Sequence, residues 1–506
     1  MPAVAGAARA AGGRESGSSV PTAYVVAVLG IASAAIYLSL TILMSFLEFF
    51  PGPGITLDFV KMLGPDWQAN SALLVSSSAA LFVFYGFAVY WLRAGERPPP
   101  LIVLLAFPVA FAVILSFMYP PMSVDFIHNV SDARTLFVFG GNPMVTPPDA
   151  HPFPVGQSYG SLPAPYGPLW FLLLFPVALV GEGVDAALHV LKFYTSLYYL
   201  ASAVLVYLIA RRVTPGRESL ALVLYAWNPF IVLRIAGNGH NDVTMLFFVL
   251  LALWLLVERR WRFVLPALAA AALIKYIPLL LVPPFLMAGF LLAADRPQFW
   301  RDTAIGASLA LGLAAISFGI FWEGWATLDS VREQGEGFIT STPLVLREQL
   351  IWRWSMDEES ASSLARWAGI GTFAVLYAGL LLAFWRSRRT ACELAACLAL
   401  ILLAFAVFGV SWYRPWYMIW PLTFLALVPG RWTLLLILVT SISGMLPDII
   451  EQYRGQLQFF REHYLWAVAA PVIVAFVPPA VALVVGWIRT RSVLMTDGLS
   501  PATARQ

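Results

Sequence analysis

Residues 121–167 read PMSVDFIHNVSDARTLFVFGGNPMVTPPDAHPFPVGQSYGSLPAPYG, a polar loop set between two apolar segments. This loop gathers carboxylates, imidazoles, glycines, prolines and tyrosines in a chain that otherwise consists largely of apolar runs. A polar segment of this kind decides how the apolar runs on either side of it are divided into membrane helices. We therefore expect the chemistry of the protein to centre on this loop.

The composition is that of a membrane protein with many helices. Of the 506 residues, 60% are hydrophobic and only 12% are charged, and the mean hydropathy is +0.78. Soluble globular chains do not reach such values. The net charge of +3 is too small to indicate nucleic-acid binding. The two cysteines, Cys392 and Cys397, lie in or beside an apolar stretch and indicate neither a disulfide framework nor a thiolate metal site.

Apolar segments near the roughly 20 residues needed to cross a bilayer predict the transmembrane architecture. We expect an all-α polytopic protein of about fourteen transmembrane helices, with cytoplasmic, disordered tails at both ends. The predicted spans are 22–47, 71–92, 101–118, 190–210, 219–235, 242–257, 263–275, 277–294, 303–322, 366–385, 391–410, 416–428, 431–446 and 465–488.

The apolar run 169–180 decides which polar segments face outward. It is short, contains Pro176 and is followed by an acidic stretch, so we expect a re-entrant or interfacial segment. If the run 169–180 does not cross the membrane, the arginine clusters at 211–212 and 386–389 lie on the cytoplasmic side, as the positive-inside rule requires. The external segments are then 121–167, 234–242, 323–365, 411–417 and 447–464.

Within the first loop, Asp125, His128, Asn129 and Asp132 are spaced so that they share one face of a short helix. The glycines and proline at 140–143 end that helix. Taken alone, Asp125 could simply cap the helix beside the membrane.

Five motifs in order place this helix in a wider pattern. They are D-x-x-x-N-x-x-x-A-R-x-L-x-x-x-G-x-N-P at 125–143, YGPL at 166–169, GHND at 239–242, IKYIP at 274–278 and RPWYMIW at 414–420. Together they resemble the GT-C superfamily of integral-membrane glycosyltransferases, and within it they are most similar to bacterial polyprenol-phosphate-mannose-dependent mannosyltransferases. The resemblance covers roughly residues 125–421.

The resemblance implies a GT-C-like bundle with a long first catalytic loop. We expect a catalytic domain at residues 101–488 that contains external loops at 121–168 and 323–365. Two additional transmembrane helices at 22–100 precede it, and residues 1–21 and 489–506 form the tails.

By the same resemblance, the carboxylate that takes the acceptor hydroxyl proton is Asp125, with Asp132 as the alternative. Cations must hold the leaving phosphate as negative charge builds on it. Lys275 is the first candidate because it ends an apolar segment, where an unpaired cation is costly. It could instead extend to the lipid headgroups. Arg414 and then Arg234 follow, since arginine can bind phosphate oxygens bidentately.

Further side chains are candidates for contacts to the substrate. His240 and Asp242 could position a sugar hydroxyl, although Asn241 or Asp242 could equally cap the helix that follows. Aromatic residues around Arg414 suit sugar rings, and they also suit a membrane interface. The other candidates are His128, Asn142, Tyr166, Trp412, Trp416 and Tyr417. No cluster has the ligand spacing of a zinc or calcium site, so we expect no metal and no cofactor.

These features predict a cell-membrane enzyme that transfers a sugar, with mannose the expected one, from a polyprenyl phosphate to a glycan or glycolipid acceptor. We expect it to act as a monomer at the external face. The absence of a P-loop or GxGxxG motif argues against a cytoplasmic nucleotide-sugar enzyme. The alternatives are a lipid-linked sugar flippase or transporter, and a ligase that transfers a glycan from a lipid diphosphate.

Overall fold

The computed structural model describes residues 22–45, 63, 66–95, 98–120, 123, 125–152, 161–180, 183–387, 390–428 and 430–497. The predicted tail at 1–21 lies outside these residues, as does the 498–506 part of the second predicted tail. The last helix continues to Asp497, beyond the predicted span end at 488 and into the stretch expected to be disordered.

The described residues form helices, with isolated β-bridges but no strand. In chain order the helices are α1 (Thr22–Leu43), α2 (Trp67–Ala94), α3 (Leu101–Ser116), α4 (Asp125–Phe137), α5 (Pro168–Leu173), α6 (Phe175–Ala178), α7 (Val184–Val213), α8 (Glu218–Ala226), α9 (Pro229–Gly237), α10 (Asp242–Val257), α11 (Trp261–Ala272), α12 (Ile277–Leu292), α13 (Arg296–Phe321), α14 (Asp329–Glu336), α15 (Thr342–Trp354), α16 (Glu358–Arg386), α17 (Ala391–Gly409), α18 (Ile419–Leu425), α19 (Arg431–Tyr453), α20 (Gln458–Glu462) and α21 (Tyr464–Asp497).

Eight of the described helices are long and apolar enough to cross a membrane. Helices α8 and α9 together would make a ninth span, bent by 49°. The chain is therefore a multi-pass membrane protein, and the predicted all-α polytopic class is confirmed. The predicted count of about fourteen is not confirmed, because α3, α10, α11, α12 and α18 are shorter than a full span. The qualifying helices are α1, α2, α7, α13, α16, α17, α19 and α21.

The first polar loop folds as its spacing predicts. Helix α4 begins at Asp125 and packs against α6 and α7. After α4, Gly140 adopts a φ of 67°, a left-handed conformation that glycine takes without strain. The run 169–180 forms α5 and α6, which are too short to span a bilayer and agree with the predicted re-entrant or interfacial segment.

The end of the loop is fastened to the junction between α11 and α12. The Gly167 amide donates to the carbonyl of Ile274 at 3.0 Å, and the Leu169 amide donates to that of Leu273 at 3.0 Å. A Cβ on Gly167 would overlap the Leu273 carbonyl. This close approach of two backbones therefore requires glycine, and it brings the loop beside Lys275.

Gly167→Ala should lower the unfolding temperature of the purified protein, because its Cβ would force the loop away from Leu273. Gly312→Ala is the matched control, since a Cβ at Gly312 meets nothing within 4 Å. In a helix interior that change stabilises by roughly 0.5–1 kcal/mol. Thermal unfolding in detergent measures both variants. Equal unfolding temperatures for the two would contradict the proposed backbone contact.

Candidate active site

A cavity of about 600 Å³ lies where α4, the junction between α11 and α12, and the segment that leads into α18 meet. It brings together most of the residues that the sequence singles out. Of these it is lined by Asp125, His128, Asp132, Tyr166, Lys275, Trp412, Arg414, Trp416 and Tyr417. Side chains far apart in the chain thus share one space of the size used for small ligands.

Hydrogen bonds behind Asp125 fix the first turn of α4. The Asn129 amide donates to the Asp125 backbone carbonyl at 2.8 Å, and the Trp170 indole donates to Asn129 Oδ1 at 2.7 Å. Asn129 thus attaches α4 to α5. The Asp125 side chain remains 26% exposed and lines the cavity. The Asp125 carboxylate is therefore accessible to a ligand in the cavity.

His240 lies against the same carboxylate from behind. Its ring is buried, stacks on Trp416 at 4.1 Å, and places Nδ1 3.9 Å from Asp125 Oδ2. Burial lowers the pKa of His240, and the charges of Arg234, Lys275 and Arg414 lower that pKa further. A neutral imidazole can position Asp125 without forming an ion pair with it.

Asp242 anchors the cation side of the cavity. Its carboxylate accepts from Lys275 Nζ at 2.8 Å and from the Trp420 indole at 2.7 Å, and Asp242 is fully buried. The predicted alternative of a helix cap is not observed, because neither Asn241, the N-cap of α10, nor Asp242 makes a side-chain cap bond. Lys275 is only 8% exposed, so it is held inside the protein rather than extended to headgroups.

Arg414 is positioned by backbone contacts with the loop that contains Ile339. The Ile339 amide donates to the Ser411 carbonyl, and the Tyr413 amide donates to the Ile339 carbonyl, both at 2.9 Å. The guanidinium of Arg414 lies over the rings of Trp412 and Trp416, at 5.8 and 5.7 Å from their centroids. Such cation–π contacts help to hold this cation at the cavity wall.

Two predicted residues lie elsewhere. Arg234 is fully buried and forms an ion pair with Asp448 of α19. Asn142 donates to the Phe321 carbonyl at 2.7 Å and to Glu323 at 2.9 Å, which ties the first loop to the end of α13. Neither lines the cavity, and their roles in substrate binding stay predictions.

The structure also reveals a supporting residue that sequence reasoning missed. Lys192 of α7 is buried and donates to the carbonyls of Leu115 and Met118 at the end of α3. A Cβ on Gly239 would lie 3.2 Å from its Cγ. Lys192 therefore supports both the entry to the catalytic loop and the turn before His240. A lysine inside the predicted span 190–210 was the available signal.

Within the described ranges no group of three or more His, Cys, Asp or Glu side chains is arranged to hold a metal ion. Metal independence stays a prediction. Asp132 is the other carboxylate in the cavity; it is buried, and burial raises its pKa well above the ordinary range. Asp132 is thus more deeply buried than Asp125, and the role of either carboxylate as a base stays a prediction.

Lys275→Met should destabilise the protein by about 3–5 kcal/mol, because it leaves the Asp242 charge buried without its partner. Lys275→Met combined with Asp242→Asn should recover most of that stability, since the amide still accepts from Trp420. Denaturant unfolding of both variants measures the difference. Equal stability of the single and double variants would show that the ion pair does not govern the fold here.

The raised pKa of Asp132 predicts a pH-dependent effect of Asp132→Asn. A raised folded-state pKa contributes stability below the unfolded-state pKa, and this contribution is lost as pH rises through the folded-state pKa. Wild type should therefore lose stability relative to Asp132→Asn as pH rises above about 4, the usual pKa of an aspartate in an unfolded chain. Unfolding temperatures of both proteins from acidic to neutral pH test this prediction, and a difference that does not change with pH would contradict the raised pKa.

Comparison with known proteins places this geometry in context. Residues 59–294 match the family described as Alpha-(1->6)-mannopyranosyltransferase, N-terminal domain. The match contains four of the five motifs. It also contains α2, so the likeness reaches further toward the N-terminus than the motifs alone indicate. No curated protein matches the chain significantly.

Among solved structures, the chain is similar to ArnT from Cupriavidus metallidurans bound to undecaprenyl phosphate. The sequence identity is 15% and the TM-score is 0.43, over 76% of this chain and 77% of that one. The family match confirms the predicted resemblance to membrane mannosyltransferases and supports a glycosyltransferase. Over residues 59–294 the protein is mannosyltransferase-like.

Proposed function

We propose that this protein is a membrane glycosyltransferase that moves mannose from a polyprenyl phosphate to a glycan or glycolipid acceptor at the external face. The observation that carries the proposal is the composition of this cavity, whose wall holds the Asp125 carboxylate together with Lys275 and Arg414. The family match over 59–294 supports mannose as the sugar, and the distribution of arginines supports the external face.

In the proposed reaction the acceptor hydroxyl oxygen attacks the anomeric carbon of the donor. A new carbon–oxygen bond forms while the bond from that carbon to the phosphate oxygen breaks, and its electron pair leaves with the phosphate. The hydroxyl proton passes to Asp125, which acts as general base. The resemblance to GT-C enzymes leads us to expect inversion at the anomeric carbon.

The leaving phosphate gains negative charge, so fixed cations lower the barrier. Lys275 is held by Asp242 at 2.8 Å, and Arg414 lies at the cavity wall beside Trp412 and Trp416, so both cations are candidates for the phosphate. Lys275 also lies 5.5 and 5.7 Å from the ring centroids of Tyr166 and Tyr417. The aromatic walls can stack on a sugar ring while the cations hold its phosphate.

Part of the cavity wall is apolar and fits the lipid portion of such a donor. It is lined by Leu279 and Leu280 in the first turns of α12 and by Phe405 and Phe408 at the end of α17. An isoprenoid chain buries apolar surface favourably against side chains of this kind. A single cavity with one polar and one apolar part thus matches a ligand that joins a sugar phosphate to a lipid.

Asp125→Asn should reduce transfer from a radiolabelled polyprenyl-phosphate-mannose donor by about 10²–10⁴-fold, the usual contribution of a general base. Donor binding should persist, because the amide has nearly the same shape. Asp149→Asn is the matched control, an exposed carboxylate in the same loop that is absent from the cavity lining. Full transfer by Asp125→Asn would contradict the assignment of Asp125 as the base. If wild type does not release labelled sugar from the donor, the proposed glycosyltransferase activity is wrong.

A further inference from the structure

Arg366 of α16 is a cation in the cavity wall that the sequence motifs do not include. Its Nη2 donates to the Glu336 backbone carbonyl at 2.9 Å, and its guanidinium lies 5.5 Å from the Phe338 ring centroid. The ion pairs among the described residues do not include Arg366. Its Nε is buried and has no hydrogen-bond partner in the described part of the chain. The side chain is thus held in place with donor capacity left over.

Arg366 lies at the border between the two parts of the cavity. One turn further along α16, Ile370 lines the apolar part together with Phe405 and Phe408. A Cβ on Gly369 would overlap the Phe408 carbonyl, so α16 and the end of α17 are in close contact here. On the other side of Arg366, the cavity wall continues into Gln334 of α14.

The same short segment also supports Arg414. Residues 336–339 contact Arg366 through the Glu336 carbonyl and the Phe338 ring. They contact the segment before Arg414 through Gly337, on which a Cβ would overlap the Trp412 ring, and through the backbone bonds of Ile339. The same short piece of backbone therefore holds Arg366 and the segment that carries Arg414, and both arginines line the cavity.

We propose that Arg366 binds the phosphate of a lipid phosphate, at the point where the apolar tail meets the polar head. This inference rests on the proposed function and assigns a residue to its donor. In a molecule that joins an isoprenoid chain to a sugar, the phosphate lies at the junction of the two, and Arg366 lies at the corresponding junction of the cavity. Guanidinium groups bind phosphate oxygens bidentately, and a buried Nε–H without a partner is ready to donate.

The test compares binding of a polyprenyl phosphate with binding of the matching polyprenol, which lacks the phosphate, by purified protein in nanodiscs. Wild type should prefer the phosphate. Arg366→Ala should lose roughly 10-fold or more of that preference, the size of one charge-assisted contact, while its affinity for the polyprenol is unchanged. The preference of Arg366→Lys for the phosphate should be intermediate, because lysine keeps the positive charge but cannot bind the phosphate bidentately as a guanidinium does. The control is Arg353→Ala, an exposed arginine near the end of α15 that is absent from the cavity lining.

Inorganic phosphate separates a lipid phosphate from a free one. It should not displace the lipid from wild type, because it cannot occupy the apolar part. Retention of the full phosphate preference by Arg366→Ala overturns the inference and leaves the proposed function standing. Absence of any phosphate preference in wild type overturns the donor class, and this inference with it. If Arg366→Ala does not fold, a phosphate preference in Arg366→Lys equal to that of wild type overturns the proposed binding of the phosphate by the Arg366 guanidinium.

Discussion

The buried ion pair between Asp242 and Lys275 is the constraint on which the rest of the site depends. The Asp242 carboxylate joins the start of α10, the end of α11 and, through the Trp420 indole, α18. Two charges removed from water are stable only while both remain paired and hydrogen-bonded. The pair therefore fixes three helix ends relative to one another, and Lys275 and Trp420 from two of them line the cavity.

Two loops are fastened near this ion pair by backbone contacts. Gly167 attaches the first loop beside Lys275, and Ile339 attaches the second loop to the segment that carries Arg414. Asn142 connects the first loop to the end of α13, next to the start of the second. Loops held in this way keep the Asp125 carboxylate and the Arg414 guanidinium in place at the cavity wall.

The sequence predicted the parts of the site whose evidence is local. The spacing of Asp125, Asn129 and Asp132 predicted α4, and the position of Lys275 at the end of an apolar segment indicated a cation that needs a partner, although the pairing with Asp242 was not predicted. Pairings between distant helices leave no such local pattern. The partner of Arg234 is Asp448, more than two hundred residues away, and Arg366 is an ordinary arginine near the start of a long helix until the fold brings it to the cavity. Hydropathy likewise located the apolar segments, but it could not show the 49° bend between α8 and α9, which follows from Pro229 and the buried contacts around it.

We propose that the cavity holds the sugar phosphate between Asp125 and the arginines. A structure of the protein with a polyprenyl-phosphate-mannose donor bound, solved by electron cryomicroscopy with the Asp125→Asn variant so that the donor survives, would test this directly. We expect the phosphate within hydrogen-bond distance of Arg414, the isoprenoid chain against Phe405 and Phe408, and the mannose on the Asp125 side. A donor bound outside this cavity, or one whose sugar points away from residue 125, would contradict it.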